Sequence, residues 1–216
     1  MKNPDHNHLY PATILGNGRS RLSIDLDQVH AKTITYGCNA IYRDFITDYL
    51  IALDGAMVFE IIDANAHLRS RFYAQSQSRL DRKLKQSPNL KDYVTIIPEN
   101  LKQNDSGNTA ISIAINNQHS VIYLVGFDYR VMPDEPKKYN NVYRSTANYL
   151  PESNFGVNVT NQKTWQNRFG ALVRKNLTTQ FIRVNGNDHS IIIPERKQPN
   201  YKEITIEQFK EEIKKL

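Results

Sequence analysis

The sequence predicts an α/β domain, with a mostly parallel sheet and helices on both of its faces. Three observations carry this. Near-continuous apolar runs at 12–15, 33–36 and 49–53 end in Gly16-Asn17-Gly18, Gly37-Cys38-Asn39 and Asp54-Gly55. Such short runs, bounded by turn residues, match strands buried on both faces that feed loops at their carboxyl ends. Segments with helical spacing fall between them, and strands alternating with helices select a parallel sheet.

Residues 23–30 form a short helix between the first two runs. Residues 55–66 form another after the third, with Met57, Phe59, Ile61 and Ile62 for packing. Strands follow at 71–74 and 93–97, the second stopped by Pro98. Residues 106–117 place Ala110, Ile111, Ala114 and Ile115 on one helical face, with Asp105 or Ser106 as the N-cap. The run 121–125 is a strand ending at Gly126-Phe127-Asp128. Two amphipathic helices close the chain, at 162–174 and 205–216, the latter opened by a Thr205/Gln208 capping box. Between them, strands at 180–184 and 190–193 suggest a hairpin across Asn185-Gly186-Asn187-Asp188. Residues 133–148 are polar, rich in Tyr and Asn, and read as a long surface loop or lid. The organisation is a tail (1–10), a Rossmann-like core (11–130), and a lid with a C-terminal α+β extension of the same domain (131–216).

With 216 residues, 39% hydrophobic and 23% charged, the chain has the size and composition of one globular domain. Its longest apolar stretch, 121–127, is too short to cross a bilayer, and the opening Met1–His8 has no signal-peptide pattern. The lone Cys38 excludes an internal disulfide or a cysteine zinc cluster, and a cytoplasmic setting fits. The net charge is +6, and the densest basic stretch contains Arg69, Arg71, Arg79, Arg82, Lys83 and Lys85. No nucleic-acid-binding motif accompanies that stretch, which reads as a solvated helix or loop. The six histidines show no i, i+4 metal spacing, and no G-x-S-x-G motif occurs.

In a parallel sheet, ligands sit beyond the carboxyl ends of the strands. Gly16, Asn17, Gly18, Arg19 and Ser20 fall there, where glycines allow close backbone approach and free N–H groups can hold a phosphate. Asn39 can read a base or ribose edge, and Asp54 can hold magnesium or a ribose hydroxyl. Ser106 and Gly107 open a helix, whose N-terminus favours anions, and Asp128 ends a strand. Taken singly, each is also an ordinary turn or cap.

Together these pieces resemble a family. Ile14-Leu15-Gly16-Asn17-Gly18-Arg19-Ser20 resembles the "GNGPS" loop of the Campylobacter-type bacterial sialyltransferases (glycosyltransferase family 42), and Cys38-Asn39 their "CN" pair. Ser106-Gly107, Ala110, Ala114 and the segment 122–129 resemble their "SG…A…A…IYLSGIDF". Residues 47–54 are more similar to the "PDYVVxxD" of the MptE-like hydroxymethylpterin pyrophosphokinases. Small phage proteins share this look. The resemblance spans 11–130 and implies a nucleotide cradled by Gly16, Asn17, Gly18 and Ser20, touched by Asn39 and closed over by Ser106 and Gly107. Arg19 stands for the family's proline and Arg130 for its tyrosine, and no histidine lies between Arg130 and Ile182 to match its general base. Arg130, Tyr143 and Asp128 are the remaining catalytic candidates.

Three readings follow. The first is a glycosyltransferase-like enzyme that takes a sugar nucleotide, CMP-linked in the family, and an acceptor the sequence does not identify. The second is a pyrophosphokinase-like enzyme using ATP and magnesium through Asp54 and Asp128. The third is a non-catalytic Rossmann-like binding or structural protein of phage type.

Overall fold

The computed structural model describes residues 9–129, 140–149, 155–185 and 197–216. Among them, eight strands form one sheet: β1 (Ala12–Leu15), β2 (Ile34–Cys38), β3 (Tyr49–Ala52), β4 (Arg71–Ala74), β5 (Val94–Ile96), β6 (Val121–Val125), β7 (Gln180–Asn185) and β8 (Tyr201–Thr205). Their order is β5-β4-β3-β2-β1-β6-β7-β8, and every pairing is parallel. The apolar runs at 12–15, 33–36, 49–53 and 121–125 occupy the adjacent middle positions as β1, β2, β3 and β6.

Their apolar character follows from burial on both faces. Six helices pack on the sheet: α1 (Leu26–Lys32), α2 (Gly55–Asp63), α3 (Ser78–Gln86), α4 (Ser106–Asn116), α5 (Phe155–Lys175) and α6 (Ile206–Lys215). On one face Ala12, Ile14, Tyr36 and Leu124 join Ala110, Ile111 and Ala114 of α4 and Phe169 and Val173 of α5. On the other, Leu15, Leu50, Tyr123 and Val125 join Met57 and Ile61 of α2, Leu80 and Leu84 of α3, and Phe209 and Ile213 of α6. Each fully buried aliphatic side chain contributes about 1.5–3 kcal/mol of transfer free energy.

Local chemistry sets the helix starts. Asp25 caps α1 by accepting from Gln28 N, and Asp105 caps α4 by accepting from Asn108 N at 2.8 Å. Thr205 and Gln208 form the expected reciprocal box on α6.

Three features bear on the expectations. Helix α3 forms in the basic stretch, expected as a solvated helix or loop, and Leu80 and Leu84, one turn apart, reach the core while Arg79 stacks over Phe59 at 4.0 Å. β2 runs on to Cys38 through Gly37, where a Cβ would strike Ile41 and Thr47. β7 has parallel neighbours on both sides, β6 and β8. The second strand of the expected hairpin, 190–193, lies outside the described residues.

The chain adds β2 to β5 on one side of β1 and β6 to β8 on the other. The order therefore reverses between β1 and β6. The carboxyl ends of neighbouring strands diverge there, and such folds hold ligands at that place.

Candidate functional site

A cavity of about 770 Å³ opens at this reversal. Gly16, Asn17, Gly18, Asn39, Asp54, Ser106, Gly107 and Asp128 all line it. They come from the ends of β1, β2, β3 and β6 and from the start of α4, so segments more than a hundred residues apart in sequence meet at one place. Arg19 and Ser20 follow the same loop but are not among the lining residues. Arg130 lies outside the described residues.

The first loop is held by the protein itself. Gly16 N donates to Val125 O and Gly18 N to Gly126 O, both at 2.8 Å. Arg19 N donates to Asn140 Oδ1 at 2.8 Å. Ser20 N donates to Asp128 Oδ2 at 3.0 Å, and Ser20 Oγ donates to Asp128 Oδ1. A Cβ on Gly16 or Gly18 would lie 2.6 Å from Gly126 O. These glycines let two loops of the protein meet, and four amides expected to face a phosphate have internal acceptors. Asn17 is the loop's outward group. Its Nδ2 donates to Tyr149 Oη at 2.8 Å and to Cys38 O at 3.3 Å.

Asn39 has φ of 55°, in the left-handed region where asparagine is tolerated. Its Oδ1 accepts from Ser106 Oγ at 2.9 Å, and Ser106 Oγ in turn accepts from Leu53 N at 3.3 Å. One serine hydroxyl thus ties together the ends of β2 and β3 and the start of α4. The amides of Ser106 and Gly107 are first-turn donors with no intrahelical acceptor, and they give the start of α4 its affinity for negative charge. Asp105 sits beside them, 3.4 Å from Arg168 Nη1. Burial pushes the Asp105 carboxyl above the usual carboxylate range, against the lowering effect of its bonds to Asn108 and of Arg168.

Tyr143 lies away from the cavity. Its hydroxyl donates to Asp44 Oδ2 at 2.5 Å and accepts from the buried Arg21 Nη2 at 2.6 Å, and burial pushes it well above the ordinary tyrosine range. That network docks residues 140–149 as a strap. Val142 N bonds Asn17 O at 2.8 Å, Arg43 Nη1 bonds Thr146 Oγ1 at 2.9 Å, and Asn148 Nδ2 bonds Glu60. The described end of the expected lid is therefore pinned across the β1 and β2 loops.

Sequence reading brought the 133–148 lid to the site without naming Asn140, Asn141 or Asn148, and it did not place Tyr149, Asn104, Met57, or Thr164, Trp165 and Arg168 of α5 there. Trp165 and Arg168, three apart on α5, are neighbours on one side of the helix and were the available signal there. Seven asparagines line the cavity among the described residues: 17, 39, 104, 108, 140, 141 and 148. Two buried amide oxygens there, Asn17 Oδ1 and Asn108 Oδ1, have no hydrogen-bond partner.

Behind the cavity, β7 supplies a buried cation. Arg183, 2% exposed, donates from Nε to Phe127 O at 2.9 Å and pairs with Glu203 of β8 at 3.4 Å. The Gly126–Asp128 turn, on which Gly16, Gly18 and Ser20 rest, is in this way held from the C-terminal strands.

The donors available for a metal are few. Asp128 directs both oxygens to Ser20, and Asp105 is engaged with Asn108 and Arg168, which leaves Asp54 as the carboxylate without such partners among the described residues. No group of three or more metal-ligating side chains occurs among the described residues. No helix among the described residues is long and apolar enough to cross a membrane.

No protein-family model matches this chain, and no curated protein matches it. Among solved structures, it is similar to a point mutant of the alpha-2,3/8-sialyltransferase CstII, at 14% sequence identity and a TM-score of 0.47, over 80% of each chain.

Proposed function

We propose that the protein is a transferase that binds a nucleotide-linked sugar in the cavity between the loops after β1 and β6. One observation carries this reading. The sequence segments that resemble the nucleotide-binding loops of sialyltransferases, at 16–18, 38–39, 106–107 and 126–129, all line a single cavity. Its volume suits a ligand of that size, since small-molecule sites run from about 300 to 1,000 Å³.

The lining suits the chemistry. The open amides of Ser106 and Gly107 face the phosphate, helped by the α4 dipole and Arg168. Trp165 offers a flat apolar face to a base or sugar ring. The seven asparagines supply neutral donors and acceptors to a hydroxyl-rich ligand, and the unpartnered Asn17 and Asn108 oxygens call for donors.

The test is a thermal-shift panel of CMP-, UDP- and GDP-sugars and of ATP, with and without magnesium. A sugar nucleotide at about 100 times its dissociation constant should stabilise the fold by about 2.7 kcal/mol, in EDTA as well as in magnesium. A shift with ATP that needs magnesium, lost in Asp54→Asn, would support the pyrophosphokinase-like reading instead. No shift with any nucleotide would leave the cavity to a different ligand and this proposal refuted.

A further inference from the structure

Three aspartates line the cavity, and two of them are occupied. Asp105 caps α4, bonds Asn108 Nδ2 at 2.9 Å and faces Arg168. Asp128 grips Ser20 through both oxygens. Asp54 differs. It opens α2 without a side-chain capping bond, its residue is exposed, and its carboxylate has no hydrogen bond or ion pair among the described residues.

The backbone on either side of Asp54 is nonetheless fixed. Leu53 N donates to Ser106 Oγ at 3.3 Å, and Leu53 O accepts from Gln77 Nε2 at 2.8 Å. Asp54 O accepts from Val58 N at 2.9 Å. A Cβ on the next residue, Gly55, would strike Gln77 Oε1, so the turn is closely packed against α3's entry. A carboxylate on a fixed backbone, with no internal duty and facing a cavity, is arranged for a ligand rather than for the fold.

The other proton-accepting groups of the cavity are poorly suited. Burial pushes the Cys38 thiol and the Tyr149 hydroxyl well above their ordinary ranges. Histidine, lysine and glutamate are absent from the lining among the described residues.

We propose that Asp54 is the general base that activates the acceptor hydroxyl, an inference that rests on the sugar-nucleotide reading above. In the step, the acceptor oxygen forms a bond to the anomeric carbon while its proton passes to the Asp54 carboxylate. The bond from the anomeric carbon to the phosphate oxygen breaks, and the electron pair leaves with the nucleotide, whose charge the α4 amides and Arg168 receive. Asp54 then returns the proton to solvent, to which it is open.

The experiment takes the sugar nucleotide of the panel that binds wild type, with water as acceptor, and compares wild type, Asp54→Asn and Asp54→Glu. Calorimetry gives affinity, and nucleotide release gives rate across pH. Asp54→Asn should bind within about twofold of wild type, release nucleotide about 10²–10⁴-fold more slowly, and lose the acid limb of its rate–pH profile. Asp54→Glu should keep that limb. An unchanged rate or profile in Asp54→Asn, an affinity lost in step with the rate, or a wild type that binds but releases nothing, overturns this inference and leaves the binding reading standing. Absence of binding by any sugar nucleotide refutes the binding reading, and the inference with it.

Discussion

The loop after β1 and the turn after β3 stand at the same end of the sheet and line the same cavity, yet they are built in opposite ways. The β1 loop has the glycine-rich form associated with phosphate binding, but Gly16, Gly18, Arg19 and Ser20 turn their amides to Val125, Gly126, Asn140 and Asp128. The β3 turn has one glycine and no glycine-rich loop, but it leaves Asp54 with a fixed backbone and an unengaged carboxylate. Glycine at a strand end permits close approach without saying to what. Here the approaching body is the Gly126 loop. Chemical capacity at this end of the sheet therefore lies with the side chains that the packing leaves unused.

The comparison breaks first, and hardest, at Arg183. If the β1 loop is a structural element held through the Gly126 turn, Arg183→Met should cost about 3–5 kcal/mol, because it strips Phe127 O of its donor and takes from the largely buried Glu203 its cation. Urea unfolding measures this, and a loss below about 1 kcal/mol would show the turn to be supported elsewhere. Gly16→Ala comes next. Its Cβ would meet Gly126 O and the Phe127 ring, backbone and packed ring that cannot swing aside, so a loss of about 1–3 kcal/mol is expected. A chain of this size should then melt about 2–4 °C lower for each kcal/mol. An unchanged melting temperature would return the loop to the status of a plain turn. The smallest effect belongs to Asp54→Asn, which should alter stability by less than about 0.5 kcal/mol, since no partner is lost. A cost above about 1 kcal/mol in the same thermal scan would mean that Asp54 serves the fold, and the contrast between the two turns would vanish.

Much of the fold was legible. β1, β3, β4 and β6 are short apolar runs with polar stops, and their positions are fixed by that pattern. The caps Asp25, Asp105 and Thr205 were readable as small polar residues before periodic segments, although only the last two were assigned. β8 was not legible. Tyr201-Lys202-Glu203-Ile204 carries two charges, because Lys202 lies exposed on an edge strand and Glu203 pairs with the buried Arg183, and such a segment looks like a loop in sequence. The parallel pairing of β7 with β8 was not expected either, because Asn185-Gly186 is a strong local hairpin signal that says nothing of strands further along the chain.

For the site, seven of the nine expected ligand-binding positions line the cavity. Arg19 and Ser20 do not, and Tyr143 is engaged with Arg21 and Asp44. The sequence by itself determined the alternation of strands and helices, the parallel core and the end of the sheet where a ligand would lie, since these depend on local pattern and on the short reach of the chain between elements. Tertiary structure alone decided which polar groups remain available. Whether an amide or a carboxylate is free depends on neighbours far away in sequence: Asp128 on Ser20, Asn140 on Arg19, Gly126 on Gly18. Hydrogen bonds saturate, so a group bonded within the fold is withdrawn from a ligand, and Asp54 is left available because no such neighbour reaches it.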